Sequence, residues 1–177
     1  MKINLNEIYA QLEAWRAERK ITAESQKEGY LRNVMEEFGE LSQALRGLEI
    51  ESVRKTAEHE IIDALCDIAV FTINAGADIR DEYKPLSIDT TNTFSDLNCL
   101  LLYTSTFDFK KILLNCAVLC ENYGFNFEIA MLETIKEISS RTGSYDETTK
   151  KWIKDTSDEA RAKWYRADYE KARIKNE

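Results

Sequence analysis

Glu36-Glu37-Phe38-Gly39-Glu40 and Glu60-Ile61-Ile62-Asp63 decide the fold, because both acidic strings lie inside stretches that otherwise repeat at helical spacing. At about 100° per residue, Val34, Phe38, Leu41, Leu45 and Leu48 stack into one apolar stripe. Glu37 flanks that stripe, Glu40 lies about 60° further round, and Glu36 points mostly away from it. In the second segment Ile61, Ile62, Leu65, Ile68, Ala69 and Thr72 cover one side of a helix. Glu60, Asp63 and Asp67 line the other, hemmed by Cys66 and Val70 on one flank and by Ala64 and Phe71 on the other. A carboxylate row between apolar flanks is not a freely solvated face.

Two like charges about 5 Å apart repel by roughly 3 kcal/mol at an effective dielectric near 20, before any cost of desolvation. Such acids either protonate or take up a cation. The candidate ligands are all oxygens, with no Cys or His among them, which points to a hard cation, Mg²⁺ first and Mn²⁺ second. Ordinary surface acids on amphipathic helices are the alternative reading, and it suits Glu36. The i,i+3 spacing of Glu37 with Glu40, and of Glu60 with Asp63, favours a metal site shared by two helices.

The chain has 177 residues, enough for one domain with a real core. Six glycines and the single Pro85 leave few breakers, so long helices are the default. With 24 Lys+Arg against 32 Asp+Glu the formal charge is −8, which argues against nucleic-acid binding by a basic surface. It does not exclude nucleotides, since a divalent cation brings phosphates to an acidic site. Cys66, Cys99, Cys116 and Cys120 form no CxxC pair, and one His accompanies them, so they read as buried free thiols rather than a zinc site. Met1 to Glu7 lacks the apolar run of a signal peptide, and no segment is long enough to span a membrane. The expected location is the cytoplasm, with no membrane partner.

Along the chain, a first helix is expected from near Asn4 to about Lys20, with Ile8, Leu12 and Trp15 on one side. Thr22 or Ser25 caps a long second helix that ends around Gly47 to Glu51. Ser52 opens a third that runs to about Ala75, with Gly76 as its stop. From Asp81 to Phe107 the pattern weakens: Ser87 to Asp96 reads as a loop and Leu97 to Tyr103 as an apolar patch. Further helices fit Phe109 to Tyr123, and from the cap Asn126 to Arg141-Thr142-Gly143. No strand-like alternation of any length stands out. The fold class is therefore all-α, a helical bundle with a carboxylate metal site in its core. Residues 1–145 form the main domain and 146–177 a charged helical tail bearing Trp152, Trp164, Tyr165 and Tyr169. The apolar stripes exceed what one thin bundle buries, so a homodimer or homotetramer is expected.

The arrangement EExxE, a spacer, then ExxD, as EEFGE and EIID, resembles the MazG-like, all-α nucleoside triphosphate pyrophosphohydrolases. The likeness runs from Trp15 to Arg141 and includes Gly124-Phe125-Asn126 leading to Met131, Lys136 and Arg141, similar to the basic helix of that family. It implies metal ligation by Glu37, Glu40, Glu60 and Asp63, the same two glutamates that the helical wheel selects over Glu36 in the first string. Two departures stand out. Ser140 precedes Arg141 where family members often carry Asn, and the stretch from about 81 to 123 is an insertion relative to the shortest members.

The implied reaction is Mg²⁺-dependent hydrolysis of an NTP or dNTP between the α and β phosphates, giving a nucleoside monophosphate and pyrophosphate. Glu36 or Glu40 would orient the attacking water or take its proton. Lys136 and Arg141 would grip phosphate oxygens; a solvated basic helix end is the competing reading for both. Asp67 reads as an outer partner of the ligands rather than a ligand. Narrower alternatives within the resemblance are dimeric dUTPase-like or dCTPase-like and phosphoribosyl-ATP pyrophosphohydrolase-like activities. A non-catalytic helical interaction module is the alternative outside it. A di-iron bundle is disfavoured, because His59 precedes Glu60 instead of following an acid by three. Trp15, Tyr30 and Phe38 are within range of the site but are equally explained as core. The tail aromatics fit packing on the parent domain better than clasping a neighbour or stacking on a base.

Overall fold

The computed structural model describes residues 5–80, 93–149 and 151–175. Seven α-helices and a two-stranded hairpin follow in order: α1 (Leu5–Glu18), α2 (Ala23–Gly47), α3 (Arg54–Asn74), α4 (Thr93–Ser105), α5 (Phe109–Asn122), α6 (Phe127–Ser140), β1 (Gly143–Asp146), β2 (Lys151–Lys154) and the short α7 (Asp158–Arg161). A 3-10 turn, Glu51–Val53, introduces α3, and a second, Tyr169–Ala172, closes the described chain. Local chemistry sets most boundaries. The hydroxyl of Thr22 accepts from Ser25 N at the start of α2, the Asp108 carboxylate from Lys111 N at α5, and the Asn126 amide oxygen from Ile129 N at α6. Beyond α3 the chain turns at Gly76, close to its expected stop.

The six-residue connection 48–53 folds α2 and α3 back on each other as a helical hairpin, the most extensive pairing among the described residues. Its register can be read from its two ends. Near the turn, a Cβ added to Gly47 would stand 2.8 Å from the Ala57 Cβ, so the helices meet there by virtue of glycine. At the far end the Tyr30 hydroxyl lies 3.0 Å from the Thr72 hydroxyl, both buried. Midway, this register brings Glu37 and Glu40 beside Asp63 and Asp67. Both faces of α3 are covered: Ile61, Leu65, Cys66, Ile68 and Ala69 are fully buried. With α5 (Ile112, Leu113, Cys116) and α6 (Phe127, Met131) they form one continuous core.

Three expectations are corrected. The apolar patch from Leu97 to Tyr103 is part of a helix, α4, which lays buried Leu100 and Thr104, one turn apart, on the core side. Of the expected loop from Ser87 to Asp96, residues 87–92 lie outside the described residues and 93–96 open α4. The tail is not helical beyond α7 and the 3-10 turn Tyr169–Ala172: β1 and β2 pair antiparallel, Gly143 opposite Lys154 and Tyr145 opposite Trp152. Gly143 is required there, because a Cβ would fall 2.3 Å from the Ile153 carbonyl oxygen and 2.9 Å from the Trp152 ring. Among the described residues no helix is long and apolar enough to cross a membrane, and all four cysteines are free, Cys66, Cys116 and Cys120 being buried.

Candidate functional site

The α2–α3 register gathers four carboxylates from two helices, Glu37, Glu40, Asp63 and Asp67. Glu37 is buried, with 8% of its surface exposed. Burial, then the charges of Asp67, Glu40, Asp63 and Glu36, push its pKa from 4.5 up to about 9. Asp67 is pushed up to about 8 by burial, reinforced by Asp63, Glu137 and Glu40 and opposed by Arg141. Asp63 is raised as well, first by burial; a hydrogen bond from Tyr169 and the charge of Arg141 oppose the rise. Desolvation and mutual repulsion thus favour the protonated form of these carboxyls, with Arg141 opposing the rise at Asp63 and Asp67.

Arg141 is the cation that acts on Asp63 and Asp67. One end of its guanidinium donates to the Glu137 carboxylate at 2.8 Å. Its Nε is buried with no hydrogen-bond partner among the described residues. Other sequence candidates stand apart. Glu60 is exposed, one helical turn from Ala57 and nearer the α2–α3 turn than the cluster. Glu36 is exposed and is the weakest of the four charges acting on Glu37. Lys136 is paired with Glu133 at 2.6 Å rather than aimed at the acids. Tyr30 is core, and His59 is half-buried against Glu170, with 2.7 Å between His59 Nε2 and Glu170 Oε1.

The C-terminal segment supplies groups that periodicity does not reveal. Residues 164–173 strap across α6 and α3. Ala167 N donates to Glu137 at 2.8 Å and Tyr165 N to the Ser140 hydroxyl at 2.8 Å. Beneath the strap Glu133, 2% exposed, receives the Tyr165 hydroxyl, Lys136 Nζ, Asp168 N and Lys171 Nζ. Burial alone would raise that carboxyl, but these donors overcome it and hold it down at about 2. Ser140, the departure from the family pattern, therefore serves as an anchor for the strap. The buried Tyr169 hydroxyl donates to Asp63 Oδ1 at 2.5 Å and lies 2.9 Å from the Thr134 hydroxyl, fixing the carboxylate's orientation.

Tyr169→Phe removes the donor that orients Asp63 and should cost about 1–2 kcal/mol of stability. Thermal melts of the variant check this, and an unchanged melting temperature would show that the hydrogen bond contributes nothing.

Among the described residues no three His, Cys, Asp or Glu side chains stand close enough together to enclose a metal ion as they lie. The chemistry of the four acids nevertheless suits a hard divalent cation: oxygen donors from facing helices, mutually repelling, and desolvated at Glu37, Asp63 and Asp67. No protein-family model, curated protein or solved structure matches this chain.

Proposed function

We propose that the protein is a divalent-cation-dependent nucleoside triphosphate pyrophosphohydrolase. The observation that carries this reading is the gathering of Glu37 and Glu40 from α2 with Asp63 and Asp67 from α3 on one face, where desolvation and mutual charge raise Glu37 and Asp67. The EExxE and ExxD strings that resemble the MazG-like family support it. Glu37, Asp63 and Asp67, with Glu40 at the open edge, are the residues that would hold Mg²⁺ or Mn²⁺. Glu60 would join from one turn away only by a change of side-chain rotamer. The cation, when bound, screens the triphosphate and activates water for attack.

The chain's own groups divide the remaining work. Glu40, exposed at the edge, orients the attacking water and takes its proton, with Glu36 the alternative base. Arg141 holds phosphate oxygens through the Nε that the fold leaves free, while Glu137 fixes its other end. Lys154 lines the same pocket as Arg141 and is the better placed second cation, since Lys136 is engaged by Glu133. Assembly into a homodimer or homotetramer belongs to the same reading. Leu31 and Met35, one turn apart on α2 and about half exposed, are apolar surface that a second copy would cover.

A screen of the common NTPs and dNTPs with pyrophosphate detection tests the proposal. Release is expected with Mg²⁺ or Mn²⁺ and is expected to stop in EDTA. Full turnover in metal-free buffer, or no pyrophosphate from any nucleotide, would contradict it.

A further inference from the structure

The C-terminal strap touches Asp63 through the Tyr169 hydroxyl, a contact that can be followed proton by proton. A tyrosine hydroxyl carries a single proton, and an ionised carboxylate accepts without donating. Tyr169 OH lies 2.5 Å from Asp63 Oδ1 and 2.9 Å from Thr134 Oγ1. Its own proton therefore goes to Asp63, and the second contact is a bond only when Thr134 donates. The Ala130 carbonyl oxygen, 3.0 Å from Thr134 Oγ1, competes for that threonine proton. Whichever acceptor takes it, the tyrosine proton points at Asp63. Thr134 is 2% and Tyr169 4% exposed, so the contact is shielded from water. Its length is that of a charge-assisted bond, about 2.5–2.7 Å.

The strap does not depend on that hydroxyl for its place. Beyond Tyr169, Asn126 N donates to the Ala172 carbonyl oxygen at 2.7 Å and Ile174 N to the Gly124 carbonyl oxygen at 2.8 Å. These bonds pin the strap to the connection between α5 and α6. Arg173 donates to the Glu58 carboxylate at 2.8 Å, which ties the same end to α3. Ahead of Tyr169, the bonds to Glu133, Glu137 and Ser140 hold the other end to α6. A residue fixed from both sides delivers its donor to a fixed point. One oxygen of Asp63, Oδ1, is engaged by that donor, and the other, Oδ2, is left for a cation.

We propose that Tyr169 is a positioning residue for a divalent cation on Asp63, so that docking of the strap and binding of the cation favour one another. The inference rests on the cation site of the pyrophosphohydrolase reading, though not on its reaction. The family resemblance ends at Arg141 and implies nothing for the tail. With the strap docked, Asp63 has lost its rotational freedom before the cation arrives. A bound cation in turn holds the carboxylate where Tyr169 meets it. The coupling is reciprocal: the factor by which the docked strap tightens the cation is the factor by which the cation suppresses opening of the strap.

The test is a Mn²⁺ titration of the full chain without nucleotide, read by the electron paramagnetic resonance of the free ion. Beside it, hydrogen exchange across residues 164–173 is followed by mass spectrometry, where the bonds of Tyr165 N to Ser140 and of Ala167 N to Glu137 report docking. Tyr169→Phe should weaken Mn²⁺ binding roughly 10–100-fold, the usual cost of losing a group that orients a metal ligand. Tyr165→Phe, which takes a hydroxyl from Glu133 instead, should leave Mn²⁺ affinity unchanged. Saturating Mn²⁺ should slow exchange of the strap in the wild-type chain by a comparable factor, and should lose that effect in Tyr169→Phe. Equal Mn²⁺ affinity of the wild-type chain and Tyr169→Phe would overturn the proposal and leave the cation site standing. So would an equal loss of affinity from Tyr165→Phe, or strap exchange in the wild-type chain that bound Mn²⁺ does not move, a measurement that needs no variant. A wild-type chain that binds no Mn²⁺ would overturn the cation site and the proposal with it.

Discussion

Asp63→Asn is expected to reduce turnover by more than about 100-fold while leaving the fold intact. Losing a mere outer partner of a metal-binding group costs roughly 10–100-fold, and the proposed function makes Asp63 a ligand of the cation itself. The substitution keeps an oxygen at the position that accepts the Tyr169 hydroxyl at 2.5 Å, so the strap has no reason to detach. It also removes one of several mutually repelling charges, each of which raises its neighbours. Relief of even about 1 kcal/mol lifts the melting temperature of a chain this size by roughly 2–4 °C. Loss of activity with an equal or higher melting temperature is therefore the signature. A near wild-type rate, or an inactive variant that has also lost its helical spectrum, would contradict the role given to Asp63.

The second large effect concerns pH and cation together. Glu37 and Asp67 titrate near 4.5 and 3.8 in the unfolded chain and at about 9 and about 8 in the fold. The folded state therefore keeps protons that the unfolded chain has already released, and stability falls as pH rises across that interval. The contribution is fully present below the unfolded values and is lost as pH climbs through about 8 to 9. The groups facing Glu37 and Asp67 are Glu36 and Glu40 on α2, Asp63 on α3, and Glu137 and Arg141 from α6. Glu133 and Glu170, both held down at about 2, act in the opposite sense, but their contribution is lost only in acid. In EDTA the melting temperature should therefore decline from about pH 5 to about pH 9. Mn²⁺ or Mg²⁺ should raise it by an increment that grows with pH, because the cation takes ionised carboxylates. At a free concentration near 100 times its Kd the gain is about 2.7 kcal/mol. Melting temperatures insensitive to both pH and cation would show that these acids are not a cation site.

Much of this architecture is legible in the sequence, for reasons that also mark where legibility stops. The α2 and α3 stripes are long and regular, and the wheel that separates Glu37 from Glu36 needs nothing beyond helical periodicity. Helix α4 is hidden by the Ser, Thr and Asn residues around it, whose propensity favours loops until Leu100 and Thr104 are buried. The hairpin escapes notice because its strands are four residues long and mostly charged outside Tyr145, Trp152 and Ile153. Glu60 and Asp63 share a motif yet part company, since the Gly47–Ala57 approach sets the register and leaves Glu60 toward the turn. Glu137, Arg19 and Tyr169 are invisible to any local pattern. Tyr169 meets Asp63 across 106 positions of chain, and Arg19 reaches Ser139 across 120. The density of aromatics in Trp164-Tyr165-Arg166-Ala167-Asp168-Tyr169 is the one available hint that the tail is anchored.

Bond choice tests the proposed chemistry most directly. If the acids of α2 and α3 position the cation over the α-phosphate, with Arg141 and Lys154 on the departing oxygens, water attacks the α-phosphorus and pyrophosphate leaves as one unit. Hydrolysis in ¹⁸O-labelled water, read by mass spectrometry, should place the label in the nucleoside monophosphate and leave pyrophosphate unlabelled. Label in orthophosphate, with a nucleoside diphosphate as co-product, would contradict it.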